Sequence, residues 1–104
     1  MSVMLINTTK ENIKNGLDSG IKILNFHASW CPPCKMLKPV LEELVEKQNI
    51  DIYRIDVDED RDFAKEKQIT SIPVTFIYKD GKEVTKLLGY MSYENLLNEI
   101  NKIK

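Results

Sequence analysis

Apolar positions along the chain follow two rhythms. Val3 to Ile6 is a short apolar run. Ile21 to Phe26 is β-branched and aliphatic except at Lys22 and Asn25, as expected of a strand covered on both faces. Ile50 to Val57 alternates and predicts a third strand. From Pro32 to about Gln48 the apolar residues Met36, Leu37, Val40, Leu41, Leu44 and Val45 recur at offsets of three, four and seven, the rhythm of a helix. Pro39 falls inside it, where its ring meets the carbonyl of Lys35, and predicts a kink. Before it, Thr8-Thr9-Lys10-Glu11 has the form of a capping box, opening a helix with Ile13 and Leu17 on one face that stops near Gly20.

The remainder changes character. An acidic run, Asp56 to Asp62, leads into a short helix over Arg61 to Lys67. Pro73 to Tyr78, a turn at Lys79-Asp80-Gly81-Lys82 and Glu83 to Leu88 predict an antiparallel hairpin. Ser92 then caps a last helix whose Leu96, Ile100 and Ile103 form its inner stripe. Strand and helix alternate through the first two thirds, which argues for an α/β domain with a partly parallel sheet and helices on both faces. No repeat, linker or low-complexity segment interrupts it.

Length sets the scale. One domain spanning residues 1–104 is expected, and a chain of this size buries roughly 60–70% of its unfolded surface without needing a disulfide. Its 15 basic and 16 acidic residues are interspersed and leave a net charge of −1, so no basic face for nucleic acid is expected. No apolar run approaches the ~20 residues of a membrane span. Met1 to Asn7 has neither the charged start nor the cleavage site of a signal peptide, from which a cytoplasmic address is expected. In that compartment a lone Cys-x-x-Cys points to redox or metal chemistry more than to a permanent staple.

The two cysteines, Cys31 and Cys34, sit in Trp30-Cys31-Pro32-Pro33-Cys34-Lys35, where strand gives way to helix. Backbone N–H groups are unpaired at such a junction and the local dipole favours an anion, so a thiol there can become the reactive thiolate. Residues three apart on a first helical turn have Cβ atoms roughly 5–6 Å apart. A disulfide needs about 3.5–4.5 Å, so a small adjustment opens or closes the bond. As N-cap, Cys31 can accept from the N–H groups of the first turn, and since Pro32 and Pro33 have none, Cys34 is left as the main backbone donor. Exposure at the helix start is expected to make Cys31 the more acidic thiol and the covered Cys34 the less acidic one.

With these residues in hand, the chain resembles the thioredoxin family over nearly its whole length. Trp30-Cys31-Pro32-Pro33-Cys34-Lys35 is similar to the family's active-site motif, Pro39 to its kinking proline and Ile72-Pro73 to its cis-proline loop. Gly81 and Gly89 correspond to the hairpin-turn glycine and the glycine beside the substrate groove. The resemblance implies the thioredoxin fold, a central mixed five-stranded sheet flanked by four helices. It also implies protein-disulfide reduction by dithiol–disulfide exchange, with Cys31 as nucleophile, Cys34 as resolving thiol and Pro73 in the cis form. Trp30, Pro33, Ile72, Gly89 and Tyr90 would line the groove, where a target peptide pairs in extended form with backbone near Ile72. No bound cofactor or metal is implied. The implied partners are disulfide-containing target proteins and a flavin-dependent thioredoxin reductase fed by NADPH or ferredoxin, with this chain acting as a monomer.

Two departures bear on the chemistry. Asn25 stands where the family usually has a buried aspartate that moves protons for the second cysteine, and an amide cannot take a proton. It is either a change of proton route or a buried amide that satisfies its own hydrogen bonds at less cost than a carboxylate. Pro32 stands where the common thioredoxin has glycine; proline pairs also occur in thioredoxin-like proteins of the bacterial envelope. Arg54, where the family often has lysine, either lends positive potential to the sulfurs or is a solvated strand-end residue. His27, four residues before Cys31, either tunes the neighbouring thiol or fills a site where relatives carry an aromatic ring. Trp30 is either a target contact or packing, the acidic run a solvated loop, and Met36 carries no chemistry.

Rival readings use the same residues. Zinc needs about four ligands and only Cys31, Cys34 and His27 are near one another in sequence; covalent haem needs histidine where Lys35 stands. A disulfide oxidant or isomerase would use the same pair at a higher potential. A non-catalytic binding module would leave the cysteines incidental.

Overall fold

The computed structural model describes residues 4–104. Five strands and four helices follow in the order β1 (Leu5–Thr8), α1 (Lys10–Ile13), β2 (Ile21–His27), α2 (Pro32–Gln48), β3 (Ile52–Asp56), α3 (Arg61–Glu66), β4 (Val74–Lys79), β5 (Lys82–Leu88) and α4 (Tyr93–Asn101). They form one mixed sheet in the order β1-β3-β2-β4-β5. β1, β3 and β2 run parallel, and β4 and β5 antiparallel to their neighbours. The alternation expected from the sequence is therefore the architecture observed.

Side-chain parity along β2 divides the interior. Ile23 packs with Leu37, Leu41 and Leu44 of α2 and with Leu96 and Ile100 of α4. Its neighbour Leu24, with Phe26, faces the opposite side, against Ile13 of α1 and Phe63 of α3. Successive strand residues point to opposite faces, so a strand clad on both sides needs the largely apolar run that β2 carries, interrupted at Lys22 and Asn25. Phe26 meets Phe63 and Phe76 edge-on, with ring centroids 5.2 and 5.8 Å away.

Asn25 shares the α2 face with Ile23, and in register beside it lie Arg54 of β3, Asn7 of β1 and Thr75 of β4. A polar row thus crosses four strands in line with an otherwise apolar face.

Three expectations shift. The N-terminal strand begins later than expected, and Val3 lies outside the described residues. Thr8 belongs to that strand, so the capping box does not form; Thr9 is the N-cap and its side chain caps nothing. Asp60 takes over, its Oδ2 accepting from Lys10 N at 2.9 Å and its Oδ1 from Phe63 N at 3.2 Å. One carboxylate therefore serves the starts of α1 and α3 together. The first helix ends at Ile13, short of Gly20, because Lys14 turns to positive φ (52°), yet Leu17 still packs in the cluster of Ile13. α2 runs unbroken through Pro39. The β4–β5 turn is tight, with Asp80 and Gly81 both at positive φ, and Asp80 Oδ1 accepts from Gly20 N at 2.7 Å.

Losing a cap of this kind costs about 0.5–2 kcal/mol. Asp60→Ala, which frees two amides at once, is expected to lower stability by about 1–2 kcal/mol in urea denaturation, whereas Thr8→Ala, which removes no cap, stays within about 0.5 kcal/mol of the parent.

Candidate active site

The cysteine pair sits where β2 hands over to α2. Cys31 is the N-cap in an extended conformation, and Cys34 N donates to its Sγ at 3.3 Å. Pro32 and Pro33 occupy the first two helical positions, where a missing N–H is harmless. The sequence expectation of a single backbone donor is what the geometry shows. A disulfide joins Cys31 to Cys34, with Cα atoms 5.3 Å apart.

Exposure differs from expectation. Cys31 is 4% exposed and Cys34 1%, so both are covered. Ala28, Val57 and Ile72 pack against the pair. The sulfur of Cys31 lies 3.9 Å from the Ile72 carbonyl oxygen. A disulfide sulfur has no proton to donate, so this is a contact in the oxidised state and a hydrogen bond only for the reduced thiol.

The loop opposite carries a cis bond between Ile72 and Pro73. Gly89 N donates to Pro73 O at 2.8 Å, tying the end of β5 to that loop. Gly89 has φ +82° with open space where a side chain would stand, so backbone freedom and free access coincide there. Trp30 is 64% exposed, and its indole Nε1 donates to Asp58 Oδ2 at 2.8 Å. The acidic run is an exposed loop leading into the start of α3, and Asp58 within it also holds the indole. Trp30 and Ile72 line an apolar recess of about 160 Å³ with Val57, Ala64 and Ile69. Pro33 is exposed beside the disulfide and Tyr90 is exposed beyond Gly89.

Asn25 lies fully buried in the polar row. Its Nδ2 donates to Val74 O at 3.3 Å and Thr75 Oγ1 at 3.1 Å, and its Oδ1 accepts from Arg54 Nε at 3.2 Å. Both reading frames of the amide are thus used, and each of its donors has an acceptor. Arg54 is 5% exposed, not solvated as the strand-end reading has it. Every ion pair among the described residues belongs to a lysine. Burial pushes the Arg54 pKa down, with Glu42 and Asp56 partly opposing. A guanidinium held this way stays charged, with Glu42 and Asp56 as the carboxylates acting on it.

Arg54 lines a second recess, of about 300 Å³, together with Cys34, His27, Ala28, Lys35 and Lys38. His27 Nε2 is buried and has no hydrogen-bond partner among the described residues. Burial first, then Arg54 and Lys38 against the opposing Asp56, lowers the His27 pKa to about 4. The ring is therefore neutral at pH 7. Asp58, Thr75 and Lys38 went unnoticed as site residues in the sequence, because their places depend on strand register and loop closure.

The comparisons agree with this geometry. The thioredoxin family model matches residues 4–102. This chain belongs to the thioredoxin family. The thioredoxin of Staphylococcus haemolyticus is 39% identical over 100 residues, covering 94% of this chain and 96% of that protein. A Staphylococcus aureus thioredoxin is 37% identical over the same shares. A mutant thioredoxin from Halobacterium salinarum superposes with a TM-score of 0.83 at 28% identity, covering 97% of this chain and 89% of that one. Thioredoxins are protein-disulfide oxidoreductases, and the Cys31–Cys34 pair equips this chain for dithiol–disulfide exchange. A thioredoxin reductase and disulfide-bearing proteins are the partners such a thioredoxin implies.

The lowered pKa of His27 has a stability consequence. Unfolded, the ring protonates near 6.5; folded, near 4. The unfolded state takes the proton first, so the contribution is fully present above pH 6.5 and is lost as pH falls toward 4. Between pH 7 and 4.5 the parent is expected to lose on the order of 1–2 kcal/mol more stability than His27→Phe, after allowance for solvent screening, read from urea midpoints at each pH.

Proposed function

We propose that this chain is a general disulfide reductase in which Cys31 attacks and Cys34 resolves. The single observation that carries the assignment is the Cys34 amide directed at Cys31 Sγ on the first turn of α2, beside a groove that exposes Trp30. A hydrogen bond to the charged form lowers a thiol's pKa, as does a helix N-terminus. Among the described residues no such donor is directed at Cys34 Sγ, and Cys34 is buried in the first turn of α2.

In the forward reaction the Cys31 thiolate attacks one sulfur of a target disulfide and expels the other as thiolate. Cys34, once deprotonated, attacks Cys31 Sγ. The Cys31–Cys34 bond forms, the mixed disulfide breaks, and its electron pair leaves with the target sulfur. The target gains two electrons and the dithiol becomes the disulfide. An extended target segment pairs with the backbone at Ile72 and lies across Trp30, Pro33, Gly89 and Tyr90, with Pro73 shaping the loop. Such recognition is main-chain and apolar, and undemanding of sequence.

Arg54 acts on the resolving step. Its guanidinium, bonded to the neutral amide of Asn25, offers positive potential to a Cys34 thiolate where the family's usual carboxylate would offer a base. The chain works as a single-domain monomer in the cytoplasm, and a flavin-dependent reductase using NADPH or ferredoxin returns it to the dithiol.

Reduction of insulin with dithiothreitol as electron source is expected to be abolished in Cys31→Ser; equal rates for parent and variant would favour a non-catalytic binding role. The midpoint against glutathione should lie near about −270 mV, while a value close to about −120 mV would mark an oxidant. In Asn25→Asp, resolution near neutral pH should be faster than in the parent by stopped flow. The same change leaves a carboxylate oxygen facing the Val74 carbonyl, and is expected to destabilise the oxidised protein by about 1–3 kcal/mol.

A further inference from the structure

The resolving thiol has to lose a proton, and Asn25 cannot receive one. Cys34 is 1% exposed, so its proton does not pass straight to bulk solvent. The place it can go is the recess of about 300 Å³ that Cys34 shares with His27, Arg54, Lys35 and Lys38. A space of that size with polar walls accommodates several waters.

Among the groups that line it, three are cations and none is a carboxylate. Lysine and arginine have no lone pair to accept a proton at neutral pH. His27 is the exception. It ends β2 on the same face as Asn25, two residues earlier, since alternate strand residues share a face. Its Nε2 is buried and unpartnered among the described residues. A buried ring nitrogen without a partner costs less as a lone pair than as a stranded N–H.

We propose that His27 accepts the Cys34 proton through this recess during resolution, replacing the carboxylate that Asn25 lacks. The inference rests on the reductase reading above. In balanced form, Cys34 Sγ–H gives its proton to His27 Nε2 directly or through one water. The resulting thiolate attacks Cys31 Sγ, and the electron pair of the broken mixed disulfide leaves on the target sulfur. The imidazolium then returns its proton to solvent at the mouth of the recess or to the departing thiolate.

The charges facing the ring favour passage over storage. Arg54 on β3 and Lys38 on α2 oppose an imidazolium, and Asp56, paired with His27 in register, supports one. The net balance keeps the ring neutral above about pH 5, so a proton it receives is held only briefly and must be passed on. Arg54 and the lysines meanwhile favour the thiolate left behind.

A single-turnover experiment separates the steps. Reduced protein in excess over 5,5′-dithiobis(2-nitrobenzoate) releases one coloured thiolate on attack by Cys31 and a second on resolution by Cys34. In His27→Ala and His27→Gln the second phase at pH 7 is expected to slow about a hundredfold, the low end of general-base effects. Added imidazole should restore it in His27→Ala, where the deletion opens room for the ring. Far-UV circular dichroism checks that both variants are folded. A second phase unchanged in either variant, or a slowing in His27→Ala that imidazole leaves untouched, overturns the proposal. Absence of any second phase in the parent protein would instead sink the reductase reading itself.

Discussion

One constraint organises the reactive end of the molecule: α2 must start within a few residues of the end of β2, and its first free amide must meet a sulfur. The two prolines at the opening of α2 remove the competing N–H groups, so the donor that reaches Cys31 is that of Cys34. That hydrogen bond is present alongside the Cys31–Cys34 disulfide. The remaining parts of the end face serve that junction. Ala28, Val57 and Ile72 cover it, and the end of β5 is drawn in by the Gly89–Pro73 contact.

Below this junction lies a row of polar side chains spanning four strands, Asn7 exposed at its edge and Arg54, Asn25 and Thr75 buried. Placing polar groups in a packed interior is expensive unless each finds a partner. Asn25 meets that condition with three hydrogen bonds. Arg54 meets it through its Nε, bonded to the Asn25 oxygen, and among the described residues the buried side-chain polar atom left without a partner is His27 Nε2. A carboxylate at position 25 would pair with the guanidinium directly. With the neutral amide there, Glu42 and Asp56 are the carboxylates that act on it.

Much of this was legible in sequence, for reasons that can be named. The largely apolar run of β2, the helical stripe of α2 and the proline-blocked cap at Cys31 are local patterns, and local patterns survive folding. What the sequence hid depends on pairings far apart in the chain. Thr8 and Glu11 look like a capping box, but the amide of Lys10 is taken by Asp60, fifty residues away. Arg54 reads as a solvated strand residue until register sets it against Asn25. For His27 the sequence leaves thiol tuning and space filling open; the fold puts the residue on the wall of the Cys34 recess and buries its Nε2 without a partner among the described residues. Asp58 gives no sign in the acidic run that it will hold an indole.

That last contact reaches further than its size suggests. Because Trp30 is steadied by Asp58 in the loop that follows β3, and Val57 of the same loop packs against the cysteine pair, two adjacent side chains serve the exposed indole and the sulfurs together. A change at Asp58 acts on the indole, while a change at Val57 acts on the cover over the disulfide. Surface and sulfur are in that sense adjusted from one short stretch of the chain.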